Sequence, residues 1–286
     1  MKKVAVVTDS SANIPTELVQ QLNIHVVPIP LMYGTRTYLD GVDITAEQVY
    51  RRLRLEKQIP TTSTPSVGDF LRVYATASED ASGIVSIHMS TKLSSTYNTA
   101  TVASQLLDRV PVRVVNCGTA AMGQGFVVLE AARAAAAGAT LDEVVSRANE
   151  IAPKVQLLFT LDTLEYLHRS GRVSGVAALM GSVLQIKPVV YLVDGHVEVL
   201  VKTRTRRKAL QAILDQMSEQ VRDCPLHVSI SHADAPAEAE ELRRRVEEQF
   251  HCAELYVTEF TPVMGAHTGP GVLGVAFYAE EMENTS

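Results

Sequence analysis

The first half of the chain alternates two hydrophobic signals. Lys3 to Thr8 is a short apolar run rich in valine, and it ends in the polar stretch Asp9-Ser10-Ser11-Ala12-Asn13. Beyond Pro15 a helix-like pattern runs to Leu22. Strand, polar loop and helix in that order predict a βα unit. Ile24 to Ile29 predicts a second strand, and Leu31 to Asp43 an irregular, partly polar segment. Asp43-Ile44-Thr45 followed by Glu47 predicts a helix start. Pro60 to Ser66 is a hydroxyl-rich loop before a helix at Val67 to Ala77, and strands follow at Gly83 to Ile87 and Val112 to Asn116, each leading into a helix. This alternation predicts a small parallel sheet covered by helices.

The second half reads differently. The helix after Cys117-Gly118 is rich in Ala and Gly up to Gly138, Thr140-Leu141-Asp142-Glu143 opens another, and Pro153 marks a domain boundary. Val155 to Thr160 predicts a strand, and Leu161 to Ser170 a helix ended by Gly171. Val173 to Ile186 is strongly apolar, with Ala177, Met180, Val183 and Leu184 at helical spacing. Val189 to Val193 and His196 to Val201 flank Asp194-Gly195, the pattern of a type I′ hairpin. A long helix from Lys202 to Arg222, a strand at Leu226 to Ser231, a helix at Ala235 to Phe250 and a strand at Glu254 to Glu259 follow. Pro262 to Gly271 reads as a loop holding His267, and Val272 to Tyr278 as the last strand. The fold class predicted is α/β in two domains. Residues 1–153 form a parallel-sheet domain, and residues 154–286 an α+β domain with a largely antiparallel sheet.

One junction stands out for chemistry. Ser90 to Ala100 carries six hydroxyl side chains (Ser90, Thr91, Ser94, Ser95, Thr96, Thr99) between a buried strand and a helix predicted over Thr99 to Leu107. A helix start offers unpaired N–H groups and partial positive charge, so it suits an anion, while the same hydroxyls also serve as ordinary caps.

Composition narrows the classes. The 286 residues are 46% hydrophobic and 20% charged, which is ordinary for a globular protein. A formal net charge of −6 argues against general nucleic-acid binding. Cys117, Cys224 and Cys252 are too far apart for a disulfide framework or a zinc site and suggest a reduced, cytosolic setting. The apolar run at the N-terminus is too short for a signal peptide, and no run of 18 apolar residues predicts a membrane span.

The common catalytic signatures are missing. Gly118 and Gly123 have P-loop spacing, but Gln124 and Gly125 stand where Lys and Ser/Thr are needed. No Gly-x-Gly-x-x-Gly follows the first strand, and there is no Gly-x-Ser-x-Gly elbow. His227 and His232 are five apart with no His-Glu-x-x-His, so no metal or nucleotide cofactor is expected. What remains is a set of polar loops: Thr61-Thr62-Ser63-Thr64, Ser94-Ser95-Thr96, Arg169 and Arg172 around Ser170-Gly171, and His267 between glycines. Hydroxyls, arginine and histidine donate well to a carboxylate or phosphate. Each also has a plain structural use, and spacing alone points only to an anion-binding cleft between two domains.

Several stretches, in one order over nearly the whole chain, resemble the DegV family of bacterial fatty-acid-binding proteins, also called FakB. They are Val7 to Ala12, Tyr38 to Thr45, Pro60 to Ser66 with Asp69-Phe70, Ser90 to Ala100, Leu164 to Ser174, Ile186-Lys187-Pro188 and Gly265 to Gly274. The resemblance implies a long-chain fatty acid buried between the two domains. It implies that Thr62 and Ser94 hold the carboxylate, with Arg172 and His267 near the head group. It further implies a non-catalytic lipid-binding subunit that presents its ligand to a separate ATP-binding fatty acid kinase subunit, which forms an acyl phosphate. Transient membrane contact for ligand exchange fits the same picture. The wall candidates are Val173, Ala177, Met180, Val183, Leu184 and the small-residue helix after Gly118. The basic run Lys202, Arg204, Arg206, Arg207, Lys208 is a candidate partner surface, or simply a solvated helix start. Two rival readings stay open: a lipid or phosphate ester hydrolase using Ser94 with His267, and a lipid-sensing regulatory module. Ser95, Asn116-Cys117, Thr64 and Ser170 depart from the more usual Gly, Asp-Ser, Gln and Gly, which bears on acyl selectivity.

Overall fold

The computed structural model describes residues 3–56, 58–172, 186–221 and 224–279. The chain opens with β1 (Lys3–Asp9), a single 3-10 turn, α1 (Thr16–Gln21) and β2 (His25–Val27). Then come β3 (Pro30–Tyr33), β4 (Arg36–Leu39), α2 (Ala46–Leu55), β5 (Thr61–Thr62) and α3 (Val67–Ala77). The run continues through β6 (Ala81–His88), α4 (Thr96–Leu106), β7 (Val112–Asn116), α5 (Ala121–Ala136) and α6 (Leu141–Ile151). Strands β2-β1-β6-β7 form one sheet in that order, parallel throughout. Its strands are apolar on both faces because both are covered. Val4, Val6, Val85 and Ile87 pack toward α5 and α6, while Val7 and Ile84 pack on Phe70 and Tyr74 of α3 and on Ala100 and Ala103 of α4.

The second set is β8 (Gln156–Thr160), α7 (Glu165–Arg169), β9 (Lys187–Val193), β10 (His196–Thr203), α8 (Arg206–Gln220) and β11 (Leu226–His232). It closes with α9 (Pro236–Gln249), β12 (Cys252–Glu259), α10 (Pro262–Thr268) and β13 (Leu273–Ala279). These strands form a sheet in the order β10-β9-β8-β13-β11-β12, antiparallel except for the β11–β12 pair. Helices α8 and α9 bury one face of it against Leu158, Val228, Ile230 and Val275. The other face joins the same apolar cluster as α5. The alanine- and glycine-rich sequence of α5 follows from this position. A helix buried on nearly all sides needs small residues, and 13 of its 16 residues are buried. Phe126 on α5 meets Tyr278 of β13 edge-on at 5.3 Å between ring centroids.

Four readings of the sequence change. Lys202 and Thr203 close β10, so the long helix begins at Arg206 and not at Lys202. Leu31 to Asp43 is not irregular: β3 and β4 form a hairpin around Gly34, and β5 joins them as a third strand. Pro262 to Gly271 is not all loop, since Pro262 opens a helix of seven residues that carries His267. Leu161 to Ser170 is helical only over Glu165–Arg169. The hairpin at Asp194-Gly195 has both residues in the left-handed region, φ 49° and 76°, as a type I′ turn requires. No helix of the described residues is long and apolar enough to cross a membrane.

Candidate functional site

Four separate pieces of chain bring their side chains to one place. Thr62 lies on β5, opposite Leu31 of β3. It is free to face inward because Ser66 caps α3, in a capping box with Asp69. Ser94 ends the loop after β6. Its Oγ accepts from the Thr96 N–H at 3.3 Å and shares a hydrogen bond with Thr96 Oγ1 at 2.8 Å, so it also caps α4, which starts three residues earlier than the sequence pattern predicts. Arg172 follows α7, where the left-handed Gly171 (φ 75°) turns the chain. His267 sits in the last turn of α10, and its Nε2 lies 2.9 Å from Thr62 Oγ1. All four line one cavity of about 340 Å³. Ile29, Leu157, Phe159, Leu192 and Val197 line its apolar remainder.

The electrostatics of this end are one-sided. Burial, reinforced by the positive charge of Arg172, pushes the His267 imidazole down to about 4. The ring is therefore neutral at physiological pH. Its Nδ1 is enclosed and has no hydrogen-bond partner among the described residues. Burial also lowers the pKa of Arg172. Its guanidinium donates to the Leu93 carbonyl (3.3 Å) and the Ser170 carbonyl (2.5 Å), and no carboxylate pairs with it among the described residues. The cavity thus combines two cations, the part-buried Arg172 and the exposed Lys92, with one neutral imidazole, several hydroxyls including Thr62 and Ser94, and apolar wall residues. Such a lining can accept negative charge and supply several donors to it.

Other expected residues lie elsewhere. The wall candidates Val173, Ala177, Met180, Val183 and Leu184 fall outside the described residues. Ala120, just ahead of α5, does line the cavity. Arg204 and Arg207 are exposed. Arg206 is turned inward: it donates to the Gly271 carbonyl at 2.6 Å and pairs with Glu238 at 3.3 Å, so it braces the turn into β13 and is not part of a free basic face. Ser94 and His267 each bond to a different neighbour, Thr96 and Thr62, and no hydrogen bond joins the two among the described residues.

Sequence reasoning missed one polar set. Asp9 Oδ2 lies 2.7 Å from His88 Nδ1, His88 Nε2 lies 2.7 Å from Ser86 Oγ, and the Tyr74 hydroxyl donates to Ser86 Oγ at 2.9 Å. Gln124 and Ser11 complete the bonding of Asp9. The order resembles a hydrolytic triad, yet Asp9, Ser86 and His88 are each 0% exposed and cannot meet a substrate. The network instead ties β1 to β6 just behind the loop that carries Ser94. Its signal was Ser86 and His88 inside an otherwise apolar strand.

A family model described as "Uncharacterised protein, DegV family" matches residues 3–280. A DegV domain-containing protein of Streptomyces coelicolor is 38% identical over 276 residues, 96% of this chain and 98% of that one. Among solved structures, a DegV family protein from Thermus thermophilus described by its fatty acid binding has a TM-score of 0.92 at 32% identity, covering 97% of this chain and all of that one. DegV of Bacillus subtilis, described as a fatty acid binding protein, has a TM-score of 0.90 at 29% identity, covering 98% and 100%.

Proposed function

Since the chain belongs to the DegV family, we propose that it binds a long-chain fatty acid in this cavity and presents the carboxylate to a separate ATP-binding kinase subunit, which converts it to an acyl phosphate. The observation that carries the reading is the make-up of one cavity: Thr62, Ser94, Arg172 and His267 line it together with further hydroxyls and with the apolar side chains of Ile29, Leu157, Phe159, Leu192 and Val197. Thr62, Ser94 and His267 supply donors to the carboxylate oxygens, and Arg172 offsets the charge. Burying about 14 methylenes gains on the order of 11 kcal/mol gross. Association entropy and carboxylate desolvation cancel a large part of that, which is why the head group needs several donors. Residues 1–153 supply Thr62 and Ser94, and residues 154–286 supply Arg172 and His267, so the ligand bridges the two domains. In this role the chain acts in the cytoplasm, contacts membrane only while exchanging lipid, and holds no catalytic residue, metal or cofactor of its own. Lys202, Arg204, Arg207 and Lys208 are the exposed basic side chains of the run 202–208 left to meet an acidic partner.

Mass spectrometry of lipid extracted from the purified protein tests the first step, with a long-chain fatty acid expected in roughly equal amount to protein. Recovery of no lipid, together with no uptake of added oleate, would overturn it. Incubation with a fatty acid kinase subunit and ATP tests the second, with acyl phosphate expected only when both proteins are present. Turnover of acyl or phosphate esters by this chain alone would favour a hydrolase. Binding without any acyl phosphate would favour a lipid sensor.

A further inference from the structure

His267 rides on a helix that cannot hold itself. Helix α10 has seven residues, far below the roughly 12–15 at which isolated helices become even marginal. Its own cap residue, Thr261, makes no side-chain bond to the first turn. The donors at its start are taken instead by side chains from the opposite end of the sequence. The Thr261 N–H donates to Asn13 Oδ1 at 2.9 Å, and the Val263 N–H donates to Asp40 Oδ1 at 3.1 Å. Just upstream, the Tyr50 hydroxyl donates to the Phe260 carbonyl at 2.9 Å, and Asn13 Nδ2 donates to Thr258 Oγ1 at 2.8 Å. The Tyr50 ring also lies flush against α10: a Cβ on Gly265 would stand 2.5 Å from Tyr50 Cε1.

The three anchoring side chains are themselves fixed. Asn13, Asp40 and Tyr50 are 4%, 3% and 2% exposed. Asn13 holds the left-handed conformation that ends the 3-10 turn after β1. Asp40 precedes the Gly41 turn and is bridged to Ile44. Tyr50 stands on α2, whose start is locked by a Thr45–Gln48 capping box. None of the three lines the head-group cavity, whereas Val263, Met264, His267 and Thr268 of α10 all do. Val263 and His267 are four residues apart, so they lie on one face of the helix about 6 Å apart along its axis. A tilt released at the first turn therefore moves the imidazole directly, and the 2.9 Å contact with Thr62 has little tolerance before it ceases to be a hydrogen bond.

We infer that Asn13, Asp40 and Tyr50 are positioning residues, a clamp on the start of α10 that sets the His267–Thr62 geometry and through it the affinity for the fatty-acid carboxylate. The affinity half of this statement rests on the fatty-acid reading above; the geometric half does not. Asp40 is the sharpest point to probe. Asp40→Asn keeps an acceptor oxygen for the Val263 N–H, and Asp40→Ala removes it.

The test reads two quantities in delipidated protein: the nitrogen-15 resonances of the His267 ring, assigned by their loss in His267→Gln, and the dissociation constant for oleate. In Asp40→Ala the ring resonances should move toward those of a freely hydrated neutral imidazole, and oleate affinity should fall about tenfold, the loss of about one hydrogen bond to a charged group. Asp40→Asn should restore both to within about twofold of wild type. Leu242→Ala, on the buried face of α9, is the control for a purely structural effect: it should lower stability and leave both readouts in place. Wild-type ring resonances in Asp40→Ala, or equal movement in Leu242→Ala, would overturn the clamp. If Asp40→Ala does not fold, Tyr50→Phe, which removes only the hydroxyl, serves in its place, and an unmoved His267 resonance there overturns the clamp equally. Failure of the wild-type protein to bind oleate at all would sink the fatty-acid reading, while the ring resonances would still decide whether the clamp positions His267.

Discussion

Replacing His267 by Gln should change stability by an amount that depends on pH with a definite sign. The folded imidazole is pushed from its ordinary 6.5 to about 4, first by burial and then by Arg172. Between those two values the unfolded chain binds a proton that the folded chain refuses. The stability held by the neutral ring is therefore fully present above pH 6.5 and drains away as pH falls toward 4. At roughly 1.4 kcal/mol per pH unit the whole window is worth about 3 kcal/mol. Gln keeps a polar group for Thr62 and removes the titration. Urea unfolding of delipidated wild type and variant across this range is the assay, and the quantity to plot is the difference between the two. Raw curves mislead here because Asp40 runs the opposite way. Burial raises its carboxyl from 3.8 to about 6, so its contribution is present below 3.8 and lost as pH rises through 6. The two slopes partly cancel in the wild type, and His267→Gln should unmask that of Asp40. The difference curve should favour the variant increasingly as the solution is acidified. A difference that stays constant across the window would refute the claim that the fold holds His267 neutral.

The double variant Thr62→Ala/Ser94→Ala should weaken oleate binding by at least about 100-fold, since each hydroxyl gives a charged acceptor roughly 1.5–3 kcal/mol. It should stay folded, less stable by about 1–2 kcal/mol for the lost Ser94 cap and Thr62 contact; unchanged affinity by equilibrium titration would refute the carboxylate assignment. Glu254→Gln should lower stability at neutral pH by about 3 kcal/mol, because it breaks a largely buried cluster in which Glu254 accepts from His227 (2.6 Å) and Arg133 (3.0 Å) and joins β12 to α5. Hydrogen bonds from His227 and Arg133, with the charge of Arg133, outweigh burial and hold its carboxyl at about 2, so this stability is present above 4.5 and lost as pH falls through 2; a pH-independent difference in acid unfolding would count against that account. Gly125→Ala should destabilise by about 1–3 kcal/mol in a thermal melt although Ala is the better helix former, because its Cβ would meet the Ala12 carbonyl oxygen at 2.7 Å. A variant as stable as wild type would mean that α5 and the turn after β1 can separate freely.

What the sequence revealed and what it hid follow from the range of the forces involved. The alternation of β1, β6 and β7 with helices, the Asp194-Gly195 hairpin and the start of α2 at Thr45 are set by residues within a few positions of each other, and local patterns report them. Strands β3 and β4 are four residues each with polar positions among them, too short for a period to register. Helix α10 escaped because its stability comes from Asn13 and Asp40, more than 200 residues away. The same holds for the site. Thr62 could as well have capped α3 until Ser66 is seen to do so, and no spacing rule links Thr62 to His267 across 205 positions. The family motifs pointed to these residues, and only the folded chain brings them to hydrogen-bond distance.

The charge inventory of the head-group end also bears on what can occupy it. Arg172 brings one part-buried positive charge, fixed but not neutralised by its hydrogen bonds to two backbone carbonyls, and Lys92, exposed to solvent, lines the same cavity with a second. His267 is held neutral and adds polarity without charge. The part-buried Arg172 compensates one negative charge well, while a second has only the solvent-screened Lys92 to meet it, at the weaker strength of a surface pair. A carboxylate carries one charge at neutral pH, while a phosphate monoester carries between one and two. The site therefore fits a carboxylate better than a phosphate ester, which weighs against the phosphate-ester form of the hydrolase reading. On the proposed reading the same mismatch gives the reaction a direction. The carboxylate is matched to the pocket that holds it, and the more highly charged acyl phosphate is not, so phosphorylation itself weakens the grip of Thr62, Ser94, Arg172 and His267 on the head group.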